Sequence, residues 1–319
     1  MPFNYYYKRL NPIQRVAYKA ILSGFYALSN KIELPLKSMN EIGFAFDAVL
    51  LDNPIIFYIS SYTVMSDSKR KNCLLQPVYK YPIKFIEENV DKIKSFLIAF
   101  DSAKNKSDIE KEYFIHDYCL DNLEYDHSFN VHSYSPLGIV LNKKAVCEGI
   151  SKFVKLVGDY IGLDTLVVSG KASVPQLNAL ELPHAWNIVN IDYKPYHLDI
   201  TFNMTLTDKI KRYDYFNLCD DDIKKDHAYE SNVPVCVSCD NNYFYSNNLL
   251  ANDYDGLSKI ICQKLRLGER NIMVKLLSEN NENEMMLVAQ QSYLKIYNTN
   301  FSTSVSHNSV QSVVEINYT

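Results

Sequence analysis

Lys143-Lys144-Ala145-Val146-Cys147-Glu148-Gly149-Ile150-Ser151-Lys152-Phe153 is the stretch on which the fold turns. From Cys147 onward, Ile150, Phe153, Val154, Val157 and Ile161 recur at helical spacing, and Gly162 supplies a stop. The pattern predicts an amphipathic helix over 147–161 with Cys147 at its N-terminus. Unpaired N–H groups and the helix dipole at that end favour a thiolate. The same N–H groups can donate to an oxyanion. A cysteine in mid-helix gains neither. Alone, Cys147 would be read as an inert buried thiol; its place at a helix start, with two partner segments, makes it a candidate nucleophile.

The first partner segment is Leu182-Pro183-His184-Ala185-Trp186-Asn187-Ile188-Val189-Asn190, a predicted strand with His184 at its mouth. The second is Tyr196-His197-Leu198-Asp199-Ile200-Thr201-Phe202, also predicted as strand, with Leu198 and Ile200 on one face and His197, Asp199 and Thr201 on the other. A tight connection at 192–195 would pair the two as a hairpin and set Asp199 beside His184. The chemistry needs this set. An imidazole takes the thiol proton, and a carboxylate on its other nitrogen fixes the tautomer. The protonated ring then donates to the leaving amine. His197 is the rival base, because it shares the Asp199 face. Trp186 is read as a core or cleft wall.

These segments resemble the transglutaminase-like superfamily in the order Cys, His, Asp. The matching pieces are Ala145-Val146-Cys147-Glu148-Gly149, His184-Ala185-Trp186-Asn187 and Leu198-Asp199-Ile200-Thr201-Phe202. The lead-in Ile115-His116-Asp117-Tyr118 with Leu123-Glu124-Tyr125-Asp126 is similar to that of bacterial members, as is Tyr215-Phe216 followed by His227. Asp52-Asn53-Pro54 with Phe57-Tyr58 resembles a region of bacterial multidomain members. The likeness covers about 81–230 well and the flanks loosely. It implies an α+β, papain-like core with a helix-borne cysteine packed on an antiparallel sheet. It implies acyl-enzyme chemistry on protein or peptide amide bonds, by proteolysis, deamidation or glutamine crosslinking, with no cofactor and no metal. Cys147 would be the nucleophile, His184 the base and Asp199 its orienting carboxylate; the choice of His184 over His197 rests on this resemblance. One departure is Lys143, where bacterial members often carry Gly. Tyr134, in the preceding loop, is the candidate cleft residue, and it or a neighbour there is the candidate second oxyanion donor.

Around this core, residues 11–29 and 39–51 predict helices, with Asn11 as cap and Pro12 at the first helical position. Residues 54–59 and 72–79 predict strands. Helical pattern runs from Pro82 to about Asp126, with Ser107-Asp108-Ile109-Glu110 as a capping signal, and 127–144 reads as loop. Beyond about residue 230, helices at 255–266 and 281–292 and strands at 271–276 and 309–317 echo the order of the first 80 residues. The expected organisation is a small α/β domain over 1–80, the catalytic core over 81–230 and a second small α/β domain over 231–319.

The 319 residues suffice for more than one core. A net charge of -4 argues against nucleic acid or an anionic membrane as partner. No apolar run reaches the ~20 residues of a bilayer span, and the start lacks a secretory pattern, so a cytoplasmic chain with reduced thiols is expected. Seven cysteines, an odd number, do not make a disulfide framework. The 25 Tyr and 15 Phe against one Trp are read as half-buried packing. Cys236-Val237-Ser238-Cys239, with Cys219 and His227, would need a second close pair to read as zinc-binding, so two strand thiols is the preferred reading. The alternative to an enzyme is a non-catalytic protein-binding module on the same scaffold. Nothing in the sequence specifies an oligomeric state.

Overall fold

The structure is a computed structural model that describes residues 4–35, 38–66, 72–173, 181–206, 210–230, 232–278, 281–299 and 301–319. Helix and sheet are mixed throughout, an α+β chain. It divides into two compact units, Met1–Ser169 with His184–Asp192, and Gly170–Pro183 with Tyr193–Thr319.

The first unit opens with α1 (Tyr5–Arg9) and α2 (Pro12–Tyr26). Asn11 caps α2 as its sequence predicts: Gln14 N donates to Asn11 Oδ1 at 2.9 Å and Asn11 N to Gln14 Oε1 at 2.8 Å. Then come β1 (Ile32–Leu34), α3 (Met39–Asp52), β2 (Ile59–Ser66) and β3 (Cys73–Tyr79), with the strands in the order β1-β3-β2, all antiparallel. The strand expected at 54–59 is corrected: residues 54–58 turn, and β2 only begins at Ile59. Pro54 has no N–H for a ladder, and Ile56 N closes a turn onto Asn53 O at 2.9 Å. Ile56, Phe57 and Tyr58 are buried, which is why the run looked like a strand.

Helices α4 (Ile83–Leu97) and α5 (Asp108–Asn122) follow, then β4 (Glu124–Tyr125), α6 (Pro136–Asn142), β5 (Lys144–Ala145) and α7 (Cys147–Ile161). The loop expected over 127–144 is corrected too, since it holds a 3-10 turn at Val131–Tyr134 and the helix α6. Pro136 starts α6, and Lys143 ends it in the left-handed region at φ 59°. That conformation favours glycine. Here the lysine ammonium is held instead by the Tyr118 hydroxyl at 3.0 Å and the Phe96 ring at 4.2 Å.

Helix α7 is the centre of this unit. Ile150, Phe153, Val154, Val157 and Ile161 are each no more than 2 % exposed. Phe153 meets Phe96 and Phe100 edge-on at 6.0 and 5.9 Å. Gly162 closes the helix at φ 77°, which only glycine adopts without strain. The chain continues into β6 (Thr165–Ser173) and β7 (Glu181–Ile191), long strands within which it passes from one unit to the other. Inside the first unit, Asn190 N bonds Asp164 O at 2.9 Å. Asp192 and Tyr193, at φ 49° and 66°, make the tight turn into β8 (Lys194–Leu198), with the twist that two-residue hairpin loops favour.

In the second unit the strand expected over 196–202 stops at Leu198. Asp199 accepts Phe202 N at 3.0 Å and starts α8 (Ile200–Leu206); a short polar side chain at a helix start ends the extended run. After α9 (Asp220–Ile223), β9 (His227–Tyr229) pairs antiparallel with Gly170–Ala172 of β6. Then come α10 (Tyr243–Ser246), β10 (Leu250–Ala251), α11 (Tyr254–Arg266), β11 (Asn271–Leu276), α12 (Glu282–Tyr297), β12 (Thr303–Asn308) and β13 (Val313–Tyr318). Their sheet has the order β10-β11-β13-β12, and Leu257, Ile261, Leu265, Val274, Met285 and Ile316 fill its core. Its β11-β13-β12 part, with helices α11 and α12, repeats the order and antiparallel pairing of β1-β3-β2 with α2 and α3. The strand expected at 309–317 is β13, while the polar β12 had no apolar alternation to announce it. Among the described residues, no helix is long and apolar enough to cross a membrane.

Candidate active site

Cys147 is the first residue of α7 and follows Val146, whose backbone is extended (φ -85°, ψ 174°). No side chain caps this end. All seven cysteines are free; Cys147 and Cys239 are partly exposed and the other five are buried.

The loop before α7 is held onto its first turn by two glycines. A Cβ on Gly149 would stand 2.1 Å from Ser133 O and 2.9 Å from the Ala145 Cβ. One on Gly138 would stand 2.8 Å from the Ser133 Cα and 2.9 Å from His132 O. Val146 N bonds Ser133 O at 3.1 Å. Asp126 ties the loop from within, accepting Ser128 N at 2.9 Å, Asn130 N at 3.2 Å and the Ser133 hydroxyl. Hydrogen bonds from Ser128 and then Ser133 hold its carboxyl well below the usual carboxylate range.

Tyr125 pairs with Ala145 across β4 and β5, and its ring lies near Cys147. Burial, then the nearby Cys147 sulfur, push its pKa up to about 12, and the Cys147 backbone N–H opposes the rise. Tyr125 stood in the quoted lead-in segment, but no spacing signal distinguished it from a packing tyrosine. Tyr134, expected as a cleft residue and second oxyanion donor, is 39 % exposed at the end of the 3-10 turn.

His184 lies on β7, partly exposed, and its ring stacks with Trp186 at 5.9 Å and 16°. Trp186 is 1 % exposed, a wall rather than an open platform. Asn187 gives the segment its anchor. Its amide donates to Ser151 O on α7 at 2.9 Å and to Leu166 O on β6 at 3.1 Å. The strand carrying His184 is thereby pinned one helical turn beyond Cys147. The sequence displayed Asn187 in the motif without revealing that job.

In the second unit, Asp199 is 1 % exposed. Besides capping α8, its other carboxylate oxygen meets His227 Nε2 at 3.0 Å, and His227 Nδ1 meets Asp226 at 2.6 Å. The Tyr215 hydroxyl donates to Asp226 at 2.5 Å. Burial alone would keep His227 neutral, but its bonds to Asp199 and Asp226 prevail and raise its pKa. A raised imidazole pKa stabilises the fold fully below its unfolded value of about 6.5, and that gain is lost as pH rises through the folded value. His227→Gln is therefore expected to lower stability in mildly acidic buffer and to flatten its alkaline decline, read as urea midpoints between pH 5.5 and 9. An unchanged pH slope would contradict this.

His197, the rival base, meets Asp220. It is wholly buried, its Nε2 3.0 Å from Asp220, with the Tyr229 hydroxyl at 3.2 Å. Burial is the main cause that lowers its pKa. His197, Asp220 and Cys236 offer three ligand atoms within 4.8 Å of one another. Asp220 Oδ1, however, already meets His197 Nε2 and accepts from the Tyr229 hydroxyl and Cys236 N. The set Cys219, His227, Cys236 and Cys239 does not form a cluster among the described residues: His227 belongs to Asp199 and Asp226, while Cys239 lies beside Cys219.

No family model matches the chain, and no curated protein matches it. One similar solved structure is described as "Crystal structure of a TGase", with 16% identity and a TM-score of 0.33 over 58% of this chain and 54% of that one. The chain thus spans about half the length of that structure.

Proposed function

We propose that this chain is a cysteine-dependent acyl-transfer enzyme of the transglutaminase-like class, acting on amide groups of proteins or peptides. One observation carries the reading: a partly exposed Cys147 opens α7, and the strand bearing His184 is bonded to that same helix through Asn187. In this reading His184 takes the thiol proton and the sulfur attacks the amide carbon. The oxyanion gathers at the Cys147 N–H, the first of α7. His184 returns the proton to the departing ammonia or amine, leaving a thioester. Water or a second amine then releases the acyl group.

Asp199 is the proposed orienting carboxylate, and its bonds to Phe202 N and His227 fix its rotamer. Trp186 is the wall of the cleft. The residues 1–80 and 231–319 are proposed as flanking modules of a core at 81–230. The test is a glutamine peptide supplied with and without a primary amine. Ammonia release in both cases, with crosslinked product only when the amine is present, supports transamidation. Ammonia alone supports deamidation, and chain cleavage supports proteolysis. None of these at any pH between 6 and 9 contradicts the reading.

A further inference from the structure

Within the first unit, a cavity of about 170 Å³ opens against the first turn of α7. Phe57 and Lys80 of the N-terminal lobe line one side; Tyr134, Ser135, Glu148 and Lys152 line the other. At ~30 Å³ per water, it has room for several waters or one small polar group. Its charges do not cancel. Lys152 is taken by Glu148 one turn earlier, at 2.5 Å. Lys80 makes no side-chain hydrogen bond or ion pair among the described residues, although its neighbours include that pair. Desolvation first, then repulsion from Lys152, lowers the Lys80 pKa, while Glu148 opposes the shift. With Glu148 already paired to Lys152, the cavity keeps one net positive charge at Lys80.

The walls are fixed before anything binds. Lys80 N bonds Tyr58 O at 2.8 Å, which sets the strand end that carries it. The Tyr81 hydroxyl meets His132 Nδ1 at 3.0 Å, and Phe85 stacks on the same ring at 5.9 Å. Ser135 Oγ is tied to His132 O at 3.0 Å. The lobe carrying Lys80 and the loop carrying Tyr134 are thus joined through one histidine. A preformed pocket of this kind binds without the cost of ordering its own side chains.

We infer that this cavity is a specificity subsite for a carboxylate of the peptide substrate, with Lys80 as its main contact and the Tyr134 hydroxyl as a supporting donor. The inference rests on the acyl-transfer reading only for the word substrate; the binding itself does not require catalysis. It also gives the N-terminal lobe a role, since Lys80 and Phe57 both come from it.

The test uses full-length Cys147→Ala protein and four peptides of one sequence around a glutamine. They carry Glu or Gln as a neighbour, and a free or an amidated C-terminus. Binding is measured by titration calorimetry. A charge-assisted hydrogen bond predicts that one carboxylate peptide binds about ten-fold or more tightly than its neutral twin. The Glu arm identifies a side-chain carboxylate and the free-acid arm a chain terminus. Lys80→Gln is expected to erase the preference, Lys80→Arg to keep it and Lys80→Glu to reverse it, all with unchanged urea midpoints. A preference that survives Lys80→Gln, or none in the parent protein, overturns the subsite. If the wild-type chain turns over glutamine peptides without any such preference, the subsite alone fails. If the preference tracks Lys80 while no amide is ever turned over, the enzyme reading fails and the subsite stands.

Discussion

Cys147→Ala is expected to abolish ammonia release from a glutamine peptide, a loss of about 10⁴-fold or more, with the urea midpoint almost unchanged. The size follows from the proposed role, because no other group can carry the thioester. The small cost to folding follows from the position. Cys147 is only partly buried and opens a helix whose packing begins at Gly149 and Ile150. Alanine is the best helix former there, and surface-like substitutions cost within about 0.5 kcal/mol. Turnover that survives at more than about one-hundredth of the parent rate would remove Cys147 from the chemistry.

Gly149→Ala is the second large effect, and here folding and activity should fall together. Helix propensity favours alanine by about 1 kcal/mol. The new Cβ, however, would lie 2.1 Å from a backbone oxygen, Ser133 O. That oxygen cannot swing aside like a flexible side chain. Val146 N holds it at 3.1 Å, and the Asp126 carboxylate holds the Ser133 hydroxyl. Overpacking costs roughly 1–3 kcal/mol, and a clash with backbone lies toward the upper end, so the steric term wins and a net loss of up to about 2 kcal/mol is expected. The loop would move off the first turn of α7, and a misplacement of about 1 Å at the site costs about 10²-fold in rate. Gly43→Ala is the control. Among the described residues its Cβ would meet only the Tyr62 hydroxyl, at 3.6 Å, in the interior of α3, so stability should rise by up to about 1 kcal/mol with the rate unchanged. Urea midpoints and ammonia-release rates on the two variants check both signs.

The elements that were legible in the sequence are those whose packing leaves a period. Helix α7 announced itself because Ile150, Phe153, Val154, Val157 and Ile161 all face the core. Its limits followed from the change in texture at Cys147 and the left-handed Gly162. The capping signals at Asn11 and Ser107 are equally local and were equally readable. What escaped was set by contacts distant in sequence or by backbone detail. The run at 54–58 is apolar because it is buried, and burial does not say whether a backbone extends or turns. Helix α6 is seven residues long, too short to show a period among the turn residues around it. The site shows the same division. Cys147, His184 and Asp199 stood out by type and setting, but Tyr125, Asn187 and His227 act through partners that only the folded chain reveals. Lys143 shows the reverse: a residue at odds with its resemblance, explained by a φ of 59° that the Tyr118 and Phe96 contacts offset.

The most direct measurement is competitive alkylation of the native protein with a limiting amount of iodoacetamide, read by mass spectrometry for each of the seven thiols. Cys147 is expected to be labelled first, at least about ten-fold ahead of Cys239, the other partly exposed thiol. Its labelling rate should follow inactivation one for one, and a glutamine peptide should slow both. Equal labelling of Cys147 and Cys239, or full alkylation of Cys147 with ammonia release intact, would contradict the account.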